Sequence, residues 1–203
     1  MSVSHIGEGL SSCAHVPGLL SMTSLRSLCL HGNNITRIEA IQQLHGLQDL
    51  NLSSNCITSI ENLGGLSSLT SINLASNRLM HVTGLDGLAS LTSLNLSYNG
   101  LTSISGLTAL HGPHCKLKSL DLRHNQLESL QAFSVLVGCI NLRDLSIAGN
   151  PVTSVPNHQQ VGLPSKKLWT NERSNGGQEV VVLNVIQKSI LQSSSQTCMR
   201  RYC

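Results

Sequence analysis

Asparagine recurs along this chain at a fixed interval. Asn33, Asn55, Asn77 and Asn99 follow one another every 22 residues, and Asn125 and Asn150 continue the series after 26 and 25. A fixed period in this range marks a structure built by stacking copies of one unit, and it constrains the fold more than any local propensity. Around each Asn the apolar residues return at the same offsets. In the copy holding Asn77 they are Leu69, Ile72, Leu74, Leu79, Val82, Leu85 and Leu88. One copy earlier they are Leu47, Leu50, Leu52, Ile57, Ile60, Leu63 and Leu66. The unit is L-x-x-L-x-L-x-x-N-x-L.

Two periodicities coexist within it. Around Leu50 and Leu52 apolar residues alternate, which is the spacing of a strand. From Ile57 to Leu66 they fall at every third residue, which suits a 3₁₀ or short helical turn better than a long α-helix. Stacked copies of strand and compact return give an α/β solenoid: a curved array with a parallel sheet on its concave face and short 3₁₀ or helical turns on its convex face. A lone unit buries too little apolar surface to offset the entropy of ordering it, so copies must stack. The asparagines Asn33, Asn55, Asn77, Asn99, Asn125 and Asn150 then form a structural ladder. A carboxamide offers two donors and an acceptor, enough to serve the turn backbone of its own repeat and its neighbour.

The period also divides the chain. Residues 1–24 precede the first clean copy, and Leu10, Val16, Leu19 and Leu20 are expected to cap the first core layer. Residues 25–155 hold about six repeats, hence six strands. Two insertions break the period, His111-Gly112-Pro113-His114-Cys115-Lys116 and a shorter one near Gly138–Asn141. Residues 156–203 lose the pattern and read as a poorly ordered tail, with an apolar run at 179–191 suited to a short helix or strand.

Composition limits the chemistry. Seven scattered cysteines, an odd number, point to reduced thiols rather than a disulfide framework, and with no evident secretory signal the expectation is a cytoplasmic protein. No apolar run is long enough to span a membrane. Residues 1–150 carry a net charge of −1 and residues 151–203 carry +4, so the array offers no phosphate-binding surface and nucleic acid is not expected as a partner. His111, His114 and Cys115 are the one tight group of metal-ligand types, but no second ligand pair follows at zinc spacing; they read as an exposed loop, and neither metal nor cofactor is expected. No nucleophile, phosphate-loop or metalloprotease motif occurs, so no catalytic residue is assigned.

That leaves the inner surface. Alternation places three columns there: Ser27, Asp49, Ser71, Ser93, Ser119 and Asp144; then Cys29, Asn51, Asn73, Asn95, Asp121 and Ser146; then His31, Ser53, Ala75, Ser97, Arg123 and Ala148. Short polar side chains dominate. Asp49, Asn51, Asn73, Asn95, Asp121, Arg123 and Asp144 are the candidate partner-binding residues, with Arg123 the only side chain of a type that favours interface hot spots.

The stretches LHGNNITRIEAI, LQDLNLSSNCITSIENL, LNLSYN and GLTALHG followed by KLKSLDLRHNQLESL resemble the 22-residue intracellular class of leucine-rich repeats. Over residues 25–130 they are closely similar to the repeat region of the leucine-rich repeat and coiled-coil family of centrosomal proteins. That resemblance implies a non-enzymatic protein-interaction scaffold at the centrosome or centriole, active in spindle-pole and ciliary organisation. Family members run on into long coiled coils. This sequence has no sustained heptads, so a monomer is expected, and the residues after Asn150-Pro151 differ from the family's closing segment, as in a truncated or alternatively spliced form. The second resemblance is to the phosphatase regulatory subunit of the same repeat class, whose inner face is richer in acidic and aromatic residues.

Overall fold

The computed structural model describes residues 1–112 and 115–154. Seven three-residue strands form one open parallel sheet in sequence order. They are β1 (Ser2–Ser4), β2 (Ser27–Cys29), β3 (Asp49–Asn51), β4 (Ser71–Asn73), β5 (Ser93–Asn95), β6 (Ser119–Asp121) and β7 (Asp144–Ser146). The register follows the repeat: Leu28, Leu50, Ile72, Leu94, Leu120 and Leu145 are paired neighbours in one row. Each is buried, whereas the residues on either side of it in its strand remain partly or largely exposed. This is the alternation a pleated strand imposes when only one of its faces meets the core.

The sequence reading counts six strands, and the described residues form seven. Residues 1–24 supply a strand of their own, and Ser2, Val3 and Ser4 pair with Ser27, Leu28 and Cys29. The ladder continues past the strand, with the His5 and Gly7 amides donating to the Cys29 and His31 carbonyls. In this register Glu8 stands where later repeats have asparagine, which is why the first unit escapes the period. Cys13, Val16 and Leu19 close the core beneath it, but Leu20, expected in that layer, is 64 % exposed.

Behind the sheet the chain returns through tight turns. Among the described residues five segments are 3₁₀: Cys13–His15, Leu19–Ser21, Ser105–Leu110, Leu130–Gly138 and Pro151–Ser154. The two longest lie in the repeats that also carry the insertions. Of their apolar residues, Leu107, Leu110, Phe133 and Leu136 are buried, whereas Val137 is exposed. Of the first insertion, Pro113 and His114 lie outside the described residues, as do the tail at 156–203 and its apolar run at 179–191. Cys115 differs from the expected exposed loop residue, being buried with 6 % exposure.

The ladder asparagines are bonded in a repeating way. Asn55 Nδ2 donates to the Leu30 carbonyl of the preceding repeat (2.9 Å) and to Leu52 and Ser53 of its own. Its Oδ1 accepts the Ile35 amide (3.0 Å). Asn77, Asn99 and Asn125 repeat the same four bonds, one unit further on each time. Asn33 serves Leu10 and His5 of the irregular first unit. Asn150 bridges Leu122, Ile147 and Leu127 at the other end. Each carboxamide thus joins two layers and satisfies backbone groups that the turn would otherwise bury without partners.

Outside the ladder, adjacent turns are joined by an exposed ion pair. Arg37 Nε donates to Glu61 Oε1 at 2.9 Å, and that bond holds the Glu61 carboxyl below the usual glutamate range. Because the folded value is depressed, any stabilisation is present above the ordinary glutamate range and lost as pH falls through the folded value. The Arg37 side chain is 69 % exposed, so solvent screens the pair. Arg37→Ala is expected to leave the urea midpoint at pH 7 unchanged within error; a clear drop would show that the pair contributes more than its exposure allows.

Candidate interaction surface

The register aligns the expected columns side by side. Ser27, Asp49, Ser71, Ser93, Ser119 and Asp144 form one row, and Cys29, Asn51, Asn73, Asn95, Asp121 and Ser146 form the next. Asp49 and Asp144 are exposed at the starts of their strands. The second row has a local task that the sequence reading did not anticipate. Asn51 Oδ1 accepts the amide and hydroxyl of Ser53, Asn73 Oδ1 accepts the Ala75 amide, and Asn95 Oδ1 accepts the amide and hydroxyl of Ser97. Asp121 Oδ1 accepts the Arg123 amide in the same way. These side chains cap their own turns, as Asx residues do two positions on. Ser53 and Ser97 are drawn in and buried as a result. Four of the candidate binding residues, Asn51, Asn73, Asn95 and Asp121, therefore have one polar atom committed to the fold.

Arg123 is held by the same carboxylate. Its Nε donates to both Asp121 oxygens (3.0 and 3.1 Å) and its Nη2 to Oδ2 (2.7 Å). The planar fork is thereby paired with one carboxylate. Arg123 and Asp121 are brought together; Asp49 and Asp144 stand on other strands.

One step beyond the third column, each chain segment passes through the left-handed region. Gly32, Ser54, Ser76, Tyr98, His124 and Gly149 occupy this position, with φ between 53° and 73°. Their amides keep the ladder going, the Tyr98 N–H donating to the Arg123 carbonyl and the His124 N–H to that of Ala148. Most are small, as this conformation favours. Tyr98 and His124 are not. Their rings stack with centroids 4.2 Å apart and planes at 17°, and Tyr98 is 55 % exposed. Gly149 makes room for the stack, since a Cβ there would lie 2.5 Å from His124 Nδ1. The sequence reading stopped at the third column and missed this pair. The available signal was that the residue before each ladder asparagine is Gly or Ser in four repeats and aromatic in two adjacent ones.

The surface thus offers a row of short polar groups, two outlying carboxylates, and one cluster of Tyr98, His124, Arg123 and Asp121 where β5 and β6 run into their turns. Such a surface has the side-chain types of protein recognition. Among the described residues no three His, Cys, Asp or Glu side chains are grouped to hold a metal ion, and no helix is long and apolar enough to cross a membrane.

Comparison with known proteins agrees with this geometry. A leucine rich repeat description matches residues 23–79, another matches residues 87–110, and one of two leucine rich repeat copies matches residues 115–160. No curated protein matches the sequence. Among solved structures, a leucine-rich repeat protein of Leptospira interrogans is 29 % identical with a TM-score of 0.62, over 70 % of this chain and 35 % of that one. TLR13 in its complex with ssRNA13 is 27 % identical with a TM-score of 0.64, over 73 % and 21 % respectively. An internalin of Listeria monocytogenes shares the fold at 23 % identity and a TM-score of 0.52, over 75 % of this chain and 50 % of its own. The chain spans half or less of the length of each of these three structures. Three separate matches to one repeat, in register with seven stacked strands, place the chain in the leucine-rich repeat family.

Proposed function

We propose that this chain is a non-enzymatic protein-interaction scaffold whose partner is recognised at the end of strands β5 and β6, with Tyr98, His124, Arg123 and Asp121 at the centre of the contact. The observation that carries the reading is the Tyr98–His124 stack. A bulky residue held at positive φ costs about 1–2 kcal/mol relative to its normal conformation, and such strain concentrates where a side chain is needed in a particular place. The stack is exposed beside the carboxylate-paired Arg123 guanidinium, and Tyr and Arg are among the residue types that dominate interface energetics. Asp49 and Asp144, at the starts of β3 and β7, are outlying carboxylates able to steer a partner's basic groups. The resemblance of residues 25–130 to the repeats of centrosomal proteins makes components of the centrosome the first partners to test.

The test separates binding from folding. Asparagine tolerates the left-handed region better than tyrosine does. Loss of the stacking, worth about 0.5–1.5 kcal/mol, is therefore offset by relief of strain. Tyr98→Asn and His124→Asn should each change stability by less than about 1 kcal/mol in a urea melt. In proximity labelling with the full chain, the double variant should lose the neighbours that the unaltered chain labels, by tenfold or more. An unchanged set of labelled proteins, with both variants folded, would remove the aromatic stack from the proposal. Co-purification of a phosphatase catalytic subunit that is lost with Asp121, Arg123 and Asp144 would transfer the assignment to the phosphatase-subunit reading.

A further inference from the structure

Both interruptions of the 22-residue period carry a cysteine. Cys115 lies at the end of the first insertion, and Cys139 follows the 3₁₀ segment Leu130–Gly138 at the second. Although 24 positions apart in sequence, the two meet in the fold. The Cys115 side chain acts on the Cys139 thiol, and both are buried, with exposures of 6 % and 1 %. The surrounding backbone is locked by two further contacts between the same segments. Asn141 Nδ2 donates to the Cys115 carbonyl. The His111 ring lies against Gly138, so closely that a Cβ there would stand 2.3 Å from it. Cys13, Cys29 and Cys56 lie in other repeats.

The two thiols are not equivalent. Cys115 lines a cavity of about 160 Å³, together with Ala109, Leu110, His111 and Lys116. An external reagent entering there meets Cys115 first. Burial, and then the neighbouring Cys115, push the Cys139 thiol up to about 12. Cys139 is thus held as the thiol, and the cavity makes Cys115 the point of entry.

We propose that Cys115 and Cys139 are a reversible dithiol–disulfide pair that staples the two insertions together, closed by exchange with a small disulfide such as oxidised glutathione. The Cys115 thiolate attacks one sulfur of oxidised glutathione; its S–S bond breaks and one glutathione thiolate leaves. Cys139 then loses its proton and attacks the Cys115 sulfur, forming the internal S–S bond and releasing the second glutathione. Two protein thiols are oxidised by two electrons, one oxidised glutathione is reduced to two thiols, and the two protein protons end on those thiols. The ring closed in this way encloses β6 with Asp121, Arg123 and His124. Cross-linking removes conformational freedom from the unfolded chain, and here it would tie down the layer that carries those three side chains.

The full chain is incubated with oxidised glutathione at pH 8, quenched by alkylation, digested without reduction and mapped by mass spectrometry. The expected product is a Cys115–Cys139 linked peptide pair as the predominant disulfide. Dithiothreitol should reverse it, and the oxidised protein should melt several degrees higher than the reduced one. Cys139→Ser should stop at the first step and accumulate a glutathione adduct on Cys115, whereas Cys115→Ser should leave Cys139 unmodified. Two results would overturn the proposal: a folded, unaltered chain that yields no linked pair, or one in which Cys115 pairs as readily with any of the other cysteines. Mapping of the unaltered chain decides the matter even if a serine variant fails to fold.

Discussion

Gly106→Val should cost the array about 3 kcal/mol or more, near the upper end of what overpacking usually does. A Cβ at Gly106 would stand 1.8 Å from the Val82 carbonyl oxygen and 2.6 Å from its carbon. Both obstructing atoms are backbone, so no rotamer change can relieve the clash. One layer of the stack must move away from the next. In a solenoid each repeat contacts only its neighbours, so the damage falls on a single interface and should loosen the coupling between the two halves. At a urea slope of about 1.5 kcal/mol per molar, the midpoint drops by about 2 M, with a broadened or split transition. Gly100→Ala is the matched control. Its Cβ would approach the Leu79 carbonyl oxygen to 3.5 Å, an ordinary contact. If the two variants melt alike, close backbone approach on the convex side is not what limits this position.

The clash at Gly106 is a feature that the sequence pattern conceals. Ala40, Asn62, Gly84 and Gly106 occupy one position of the repeat, and three different residue types at it give no hint of contact. The period made the sheet order, the register and the aliphatic core readable, because stacking turns equal spacing into adjacency. Leu28, Leu50, Ile72, Leu94, Leu120 and Leu145 line up in the structure because they line up in the sequence. Strand β1 was not readable, because its unit has Glu8 in place of a ladder asparagine and His5 in place of the second strand leucine, although Leu10, Cys13, Val16 and Leu19 keep the later offsets. What lies between periodic positions was harder still. The Tyr98–His124 stack depends on a left-handed turn, and alternation along a strand says nothing about the residue where the strand ends. The Cys115–Cys139 contact forms where the period fails, so spacing could not predict it. The inner-face asparagines were read as a binding row, whereas Asn51, Asn73 and Asn95 each use an oxygen to hold the following turn. A periodic polar residue in a strand can serve the fold as readily as a partner.

The ladder asparagines allow that distinction to be measured by degree. Asn125 is 1 % exposed, and its carboxamide makes four bonds, to the carbonyls of Leu96, Leu122 and Arg123 and from the Leu101 amide. Asn77 makes the equivalent four bonds but is only half-buried. Truncation to alanine strands the same backbone groups at both places. At position 77 water can reach some of them, whereas at 125 it cannot without opening the stack. An unsatisfied buried polar group costs about 1–3 kcal/mol. Asn125→Ala is therefore expected to cost about 3 kcal/mol and Asn77→Ala about 1 kcal/mol. Urea melts of the two variants, run beside the unaltered chain, give the difference directly. The order matters more than either value. If Asn77→Ala costs as much as Asn125→Ala, the carboxamide contributes through its own bonds wherever it sits; if neither costs anything, the ladder is not what joins the layers. Only a graded loss, larger where water is excluded, fits a row of side chains whose task is to supply the hydrogen bonds that solvent cannot.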